Sequence, residues 1–297
     1  MQMSAPNNAH RGIVVGVDGS PSAKVAVDWA AREAALRNVP LTLVSVCPPP
    51  LLFLWPEVPM PQEYAAYQER RCADFIEDAR AVVDEATGGG VRILTEIPTG
   101  PTLPTLVDMT VDAELIVTGS RGLGAVSRVL LGSVSAGLLR HAHCPVAIIH
   151  DEDPLMESPA QAPVVLGVDG SPASELATGI AYDAASRRGV ELVVVHAISD
   201  SDLIEMPRAD YATLEQQAHE MLGERLAGWA ERYPDVTVRR VVVWARPAKA
   251  LIEQSEKAQL VVVGSHGRGG FTGMLLGSVG FAVAQAARMP VIVARGA

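Results

Sequence analysis

Two glycine-rich segments, each following a short apolar run, have the spacing expected of a loop that binds phosphate. Residues 119–133 read GSRGLGAVSRVLLGS, residues 264–278 read GSHGRGGFTGMLLGS, and both fit Gly-x2-Gly-x9-Gly-Ser. Glycine lets backbone N–H groups approach an anion closely, and the Gly-Ser pair predicts a helix start, whose positive end favours phosphate. One glycine loop is usually only a turn, but two copies at matched spacing predict two anion sites. The shared positions are Gly119, Gly122, Gly132, Ser133, Gly264, Gly267, Gly277 and Ser278.

An aspartate follows another apolar run in each half of the chain. The sequence Val-Asp-Gly-Ser-Pro occurs at residues 17–21 and again at 168–172, so Asp18 and Asp169 hold matching places. A carboxylate would repel phosphate directly, but it suits a ribose hydroxyl or a bound Mg²⁺ ion. A carboxylate at a helix start also complements the helix dipole, and the two roles can coexist.

The chain contains this pattern twice. The aspartates are 151 residues apart, since 169 − 18 = 151, whereas the glycine loops are 145 apart, since 264 − 119 = 145. The second copy is therefore six residues shorter in its middle part, and we place the extra residues of the first copy in the Pro-rich stretch 48–61. The acidic, Pro-rich residues 151–163 are typical of a linker. We expect a first domain at 9–150 and a second at 164–297.

Short Val/Ile/Leu-rich runs alternate with longer segments of helical periodicity in each copy. This alternation is typical of a parallel sheet covered by helices on both faces. Ser20-Pro21 and Ser171-Pro172 each place an N-cap residue before proline, which predicts a helix start. We predict an α/β protein of two tandem doubly wound domains, each a five-stranded parallel sheet in the order 3-2-1-4-5. In the first copy the predicted strands are 12–17, 41–47, 91–97, 115–119 and 145–150, and the predicted helices are 22–37, 62–87, 102–112 and 133–142.

Ligands of such a sheet bind beyond the carboxyl ends of the strands, where the winding reverses. The predicted strand order makes Asp18 a neighbour of Gly119 at this point, and Asp169 a neighbour of Gly264. Other nucleotide-binding signatures are missing from the sequence. The chain has no Gly-Lys-[Ser/Thr] of a P-loop, no Gly-x-Gly-x-x-Gly after the first strand, and no Gly-x-Ser-x-Gly nucleophile elbow.

Composition excludes several classes of function. The 297 residues are 48% hydrophobic and 20% charged and carry a net charge of −10, as in a globular protein without a basic surface for nucleic acid or anionic membranes. No apolar run is long enough for a transmembrane helix, and no signal peptide is visible, so we expect a cytoplasmic protein. The three cysteines (Cys47, Cys72 and Cys144) lie far apart in the sequence, which fits reduced thiols better than a disulfide framework.

The Val-Asp-Gly-Ser segment together with the glycine loop resembles the ATP-binding branch of the universal stress protein family. The resemblance covers nearly the whole chain as a tandem pair and implies ATP, held by the glycine motif, with Asp18 and Asp169 at the ribose or at Mg²⁺. It implies that Gly16 and Gly167 let strand 1 pass close to the nucleotide, and that Val46 and Ala197 flank adenine. The loop residues that would accompany the shared glycines and serines are Ser120, Arg121, Val134, Ser135, Ser265, His266 and Val279. Solvation at the surface is the alternative for Arg121 and His266.

One position has two possible roles, and another differs between the two copies. Asp200, just beyond the second strand of the second copy, is either a ribose contact or a solvated loop residue. The family often has a hydroxyl two residues beyond the Gly-Ser serine, which Ser135 supplies in the first copy, whereas Gly280 stands there in the second.

Three functions remain open at this point. The first is a cytoplasmic ATP-binding stress-response regulator that binds about two nucleotides per chain and an unidentified protein partner, and the family resemblance also implies a homodimer. The second is a slow ATP hydrolase or nucleotidyl transferase, although the loop offers no lysine or evident base near a γ-phosphate. The third is an interaction scaffold with a structural nucleotide.

Overall fold

The computed structural model describes residues 10–48, 62–122, 131–150, 158–199, 211–267 and 276–295. Residue contacts divide the chain into two compact units between residues 151 and 152. A short 3-10 turn at Pro159–Gln161 lies within the predicted linker.

The first unit is a five-stranded parallel sheet with helices in the connections. Its strands are β1 (Ile13–Gly16), β2 (Leu41–Val44), β3 (Ile93–Glu96), β4 (Leu115–Gly119) and β5 (Val146–Ile149), and its helices are α1 (Pro21–Arg37), α2 (Gln62–Thr87), α3 (Thr102–Met109) and α4 (Ser133–His141). The strands lie in the order β3-β2-β1-β4-β5. Ile13 of β1 is in register with Leu41 on one side and Leu115 on the other.

The second unit repeats this arrangement. Its strands are β6 (Val164–Gly167), β7 (Leu192–Ile198), β8 (Val238–Trp244), β9 (Leu260–Gly264) and β10 (Val291–Ala294), and its helices are α5 (Pro172–Arg188), α6 (Tyr211–Arg232), α7 (Pro247–Ser255) and α8 (Ser278–Ala286). The order β8-β7-β6-β9-β10 is again 3-2-1-4-5 when the strands are counted within the unit. The predicted fold class and strand order are confirmed in both units.

The two Ser-Pro pairs start helices as the sequence predicts. Ser20 Oγ accepts a hydrogen bond from the Ala23 N–H at 3.2 Å, and Ser171 Oγ accepts one from the Ser174 N–H at 3.2 Å. Each serine is an N-cap and the following proline is the first helical residue, where its missing N–H would have no partner. These caps fix where α1 and α5 begin, one turn after the end of the first strand of each unit.

The central strands are buried on both faces, which explains their unbroken runs of Val, Ile and Leu. Residues 13–15 of β1 and residues 260–262 of β9 have no solvent exposure. Strands β3 and β8 are only half-buried, and β8 carries the exposed side chains of Arg239 and Arg240. The carboxyl edge at the centre of each sheet is therefore formed by buried strands.

Several boundaries differ from the predicted ones. The predicted helix 102–112 is an α-helix only to Met109 and continues as the 3-10 turn Thr110–Asp112. The strand predicted at 41–47 ends at Val44, and Cys47 pairs with Thr99 only in an isolated bridge. Most of the Pro-rich stretch 48–61 lies outside the described residues. No helix among the described residues combines the length and apolar character that crossing a membrane requires.

Candidate functional site

The aspartate after the first strand uses its two carboxylate oxygens differently. Asp18 Oδ1 accepts a hydrogen bond from the Ser20 N–H at 3.0 Å, which holds the carboxylate at the start of α1. The other oxygen faces the glycine loop, since a Cβ atom placed on Gly122 would lie 2.7 Å from Asp18 Oδ2. One carboxylate oxygen therefore serves the start of α1 while the other faces the glycine loop.

The second unit has the same geometry. Asp169 Oδ1 accepts a hydrogen bond from the Ser171 N–H at 3.0 Å, and a Cβ atom on Gly267 would lie 2.6 Å from Asp169 Oδ2. The structure thus brings together the aspartate and the second glycine of the loop in both copies. Only glycine at these two loop positions leaves the carboxylates undisturbed.

The first glycine of each loop is required by a packing contact that the sequence did not reveal. A Cβ atom on Gly119 would lie 2.8 Å from the carbonyl carbon of Ser22, and one on Gly264 would lie 2.9 Å from that of Ala173. The end of the fourth strand therefore passes directly against the first turn of the helix that follows the first strand. These glycines are required by packing, while the role of binding phosphate was predicted for them from the loop pattern.

The loops return to the start of the next helix through a backbone hydrogen bond. The Gly132 N–H donates to the Ser120 carbonyl at 2.8 Å, and the Gly277 N–H donates to the Ser265 carbonyl at 2.6 Å. Gly132 and Gly277 are the N-cap residues of α4 and α8, and neither helix start has a side-chain cap among the described residues. The first N–H groups of a helix have no partner within the helix and favour an anion.

Ser135 and Gly280, which hold matching positions, differ in their contact with the carbonyl of the first loop glycine. Ser135 Oγ donates a hydrogen bond to the Gly119 carbonyl at 2.7 Å and lies 3.5 Å from Thr118 Oγ1. A hydroxyl has one proton, so a phosphate would compete with this carbonyl for it. In the second unit, a Cβ atom on Gly280 would lie 2.9 Å from the Gly264 carbonyl oxygen. The backbone there leaves no room for a side chain unless it shifts.

The remaining loop residues have distinct surroundings. Ser120 is buried, and its hydroxyl has no hydrogen-bond partner among the described atoms. The Arg121 carbonyl accepts a hydrogen bond from the Ser22 hydroxyl, and Arg121 is one of the residues that line the cavity of the first unit. In the second unit, Ser265 Oγ lies 3.0 Å from His266 Nδ1. Asp200 lies outside the described residues.

A cavity of about 700 Å³ lies at the carboxyl ends of β1, β2 and β4 in the first unit. This volume is in the range of small-molecule sites. Every residue of the first copy that was predicted to touch nucleotide lines it, except Ser120. These lining residues are Gly16, Asp18, Gly119, Arg121, Gly122, Gly132, Ser133, Val134 and Ser135, together with Val46 at the predicted adenine end.

One wall of this cavity was not predicted. Gln68, Arg71, Cys72 and Phe75 of α2 line it, and Thr102 and Leu106 at the start of α3 line another side. The α2 residues have the spacing i, i+3, i+4 and i+7, which places them on one face of the helix. This spacing was the available signal, but a helical face of this kind is usually part of the core.

The structure brings two of the three cysteines together, although they are 25 residues apart in the sequence, since 72 − 47 = 25. The thiols of Cys47 and Cys72 interact, and Cys47 Sγ also donates a weak hydrogen bond to the Gln68 carbonyl at 3.8 Å. Burial, followed by the contact with Cys72 and the nearby charge of Glu69, raises the pKa of Cys47. Burial raises the pKa of Cys144 to about 12. All three cysteines are free and buried.

The donor groups around the cavity fit a nucleotide better than an ion held by protein alone. Among the described residues, no group of three His, Cys, Asp or Glu side chains could hold a metal ion. Mg²⁺ typically binds to one or two carboxylates together with phosphate oxygens. Asp18 and Asp169 each supply one carboxylate oxygen facing a glycine loop, so a Mg²⁺ ion would depend on the phosphates of the ligand.

Comparison with known proteins gives consistent matches over both units. The universal stress protein family matches residues 10–150 and 162–295. Universal stress protein Rv2623 of Mycobacterium tuberculosis is 56% identical to the chain over 290 residues, which cover 97% of each protein. Universal stress protein Rv2005c of the same organism is 52% identical, with 99% of each protein covered.

A solved structure supports the fold over nearly the whole chain. The crystal structure of a universal stress protein from Archaeoglobus fulgidus DSM 4304 matches with a TM-score of 0.70 and 19% sequence identity. The match covers 96% of this chain and 98% of that one. The two-unit arrangement of doubly wound sheets is therefore shared with a protein of low sequence identity.

Proposed function

Because the chain belongs to the universal stress protein family, we propose that each unit binds one adenine nucleotide, ATP, at the carboxyl edge of its sheet. Residues 9–150 and 164–297 form the two nucleotide-binding domains, and residues 151–163 link them. Nucleotide occupancy changes the contacts of the glycine loops with a protein partner, so the protein acts as a cytoplasmic regulator of a stress response. A ligand shifts such an equilibrium only through its different affinities for the two states.

One observation carries this proposal, namely that the same loop-to-aspartate contact is built twice. The loop glycine lies against the aspartate oxygen in both units, at hypothetical Cβ distances of 2.7 and 2.6 Å. A turn that served only to reverse the chain would not need an aspartate at a fixed distance in each copy.

The helix starts beside the loops complete the phosphate site. Gly132 and Gly277 begin α4 and α8 without a side-chain cap among the described residues, so the first N–H groups are available to phosphate oxygens. In the first unit, Ser133 and Val134 of α4 line the cavity. The carboxylate of Asp18 or Asp169 then lies on the ribose side of the loop or holds a phosphate-bound Mg²⁺ ion.

The test begins with the purified protein. Denaturing it and identifying the released nucleotide by mass spectrometry shows which ligand it carries, and calorimetric titration of the nucleotide-free protein with ATP counts the sites. We expect about two ATP per chain. Released ADP in place of ATP would indicate hydrolysis, and the absence of any ATP binding would refute the proposal.

A further inference from the structure

A cationic side chain lies on the α2 wall of the cavity that the glycine loop of the first unit also lines. Arg71 of α2 is half-buried and lines the cavity together with Asp18 and Gly122. A guanidinium group carries a permanent positive charge and five N–H donors. Nothing in the loop motif assigns a role to this residue.

Aromatic rings hold the guanidinium in place. Its Cζ atom lies 5.4 Å from the centre of the Phe75 ring and 6.0 Å from that of the Tyr67 ring, so both contacts are of the cation–π type. Phe75 is in turn packed on Gly19, where a Cβ atom would overlap the ring. Gly19 also has a left-handed backbone with φ 80°, so a glycine is required there on two grounds.

These contacts connect the wall to the phosphate loop. Gly19 is the neighbour of Asp18, and Asp18 Oδ2 faces Gly122 of the loop. Arg71 and Phe75 of α2 are thus linked through Gly19 to Asp18, which faces the glycine loop. A ligand whose phosphates lie on the loop has its anionic part within the space that these residues border.

Within the described part of the chain, no acidic side chain neutralises the charge of Arg71. No described carboxylate lies within 4.0 Å of its guanidinium, whereas Arg11, Arg32 and Arg37 each form such an ion pair. We propose that Arg71 binds the phosphate groups of the nucleotide in the first site from the α2 wall of the cavity, and so selects polyphosphates over nucleosides. This inference rests on the proposed function.

The second unit has a glutamine at the position that matches Arg71. Strands β3 and β8 begin 145 residues apart, since 238 − 93 = 145, and the same offset relates the glycine loops. By this offset, Gln216 of the second unit corresponds to Arg71, and Glu220 corresponds to Phe75. Gln216 Nε2 donates to Glu220 Oε1 at 2.8 Å, and both side chains are exposed. The two sites therefore differ in how strongly they respond to the charge of the ligand.

The test compares Arg71→Gln, which places the residue of the second copy in the first, with the matched control Arg70→Gln. Arg70 is the adjacent arginine of the same helix, is exposed and donates to the Ala66 carbonyl, outside the cavity lining. Both variants are made in a Gly267→Val background, which removes the second site. Calorimetry then gives the affinities for ATP, ADP, AMP and adenosine, and thermal unfolding verifies the fold.

We expect Arg71→Gln to weaken ATP binding by about 10- to 100-fold, the usual range for a lost charge-assisted hydrogen bond. The loss should shrink from ATP through ADP to AMP and vanish for adenosine, while Arg71→Lys should retain part of the affinity and Arg70→Gln all of it. Equal ATP binding by the two glutamine variants would overturn the inference. An equal loss for ATP and adenosine would overturn it too, because it would show that Arg71 stacks on the base. If the wild-type protein bound no ATP, the proposed function would fail instead.

Discussion

Replacing the second loop glycine by valine should remove one nucleotide site at a time. A Cβ atom on Gly122 would lie 2.7 Å from Asp18 Oδ2, which is 0.7 Å inside the 3.4 Å at which ordinary contacts begin. The overlapping atom belongs to a side chain, so the aspartate can rotate away. Its rotation breaks the 3.0 Å hydrogen bond from the Ser20 N–H, and the new side chain occupies the space above the loop.

The substitution should affect nucleotide binding more than it affects folding stability. Loss of one hydrogen bond at a partly buried position lowers the free energy of unfolding by about 1 kcal/mol, so Gly122→Val stays folded. Binding suffers more, because the valine side chain keeps the backbone N–H groups away from the phosphate. Loss of two charge-assisted hydrogen bonds corresponds to about 3 kcal/mol or more, which is more than a 100-fold loss of affinity. Gly267→Val should behave in the same way in the second unit, where the distance is 2.6 Å.

Calorimetric stoichiometry measures the effect directly. We expect about two ATP for the wild-type protein, about one for each single variant, and none for the double variant. Gly228→Val is the matched control, because Gly228 lies within α6 and a Cβ atom there would have nothing within 4 Å. A double variant that binds ATP as the control does would refute the assignment of the loops. A wild-type stoichiometry of one would show instead that only one site is competent.

Three further predictions follow from the same geometry. Alanine in place of Asp18 and Asp169 should weaken ATP binding by about 10-fold, which is less than the loss caused by the glycine changes. It should also abolish any difference between titrations with Mg²⁺ and with EDTA. An unchanged Mg²⁺ dependence would argue against a metal contact. Gly280→Ala should lower the free energy of unfolding by about 1–3 kcal/mol in urea titrations, since its Cβ would lie 2.9 Å from a backbone oxygen, and a neutral effect would contradict the tight packing. Cys144 has a pKa raised to about 12 from an ordinary value of 9.0, so its contribution to stability is complete below pH 9 and is lost as the pH rises towards 12. Between pH 8 and pH 10, the free energy of unfolding should therefore fall by about 1 kcal/mol less in Cys144→Ser than in the wild-type protein. An equal fall in both proteins would contradict the explanation by a buried thiol.

The fold was predictable because its signals are local and occur twice. The Ser-Pro pairs mark the starts of α1 and α5, and the unbroken apolar runs mark strands that are buried on both faces. Once the strand order is 3-2-1-4-5, the end of the first strand must lie beside the end of the fourth. The meeting of Asp18 with Gly122 follows from this topology.

The α2 wall could not be predicted, because it depends on how a helix packs across the sheet edge. Phe75 contacts Gly19 over a separation of 56 residues, since 75 − 19 = 56, and no spacing rule connects them. The contact between Cys47 and Cys72 has the same origin. Gly119 was predicted as the first glycine of the loop. Its close approach to Ser22 is a tertiary contact that no glycine motif indicates.

The thiol of Cys72 on the cavity wall can report chemically whether the first site is occupied. Cys72 lines the cavity, whereas the residue 145 positions later in the second copy is Gln217. Cys47 and Cys144 are not among the residues that line the cavity, and burial raises the pKa of both thiols. A small alkylating reagent that enters the cavity should reach Cys72 first because of its place on the wall, and a bound nucleotide should protect it. Mass spectrometry of the peptide that contains Cys72 would then report occupancy of the first site separately from the site proposed in the second unit.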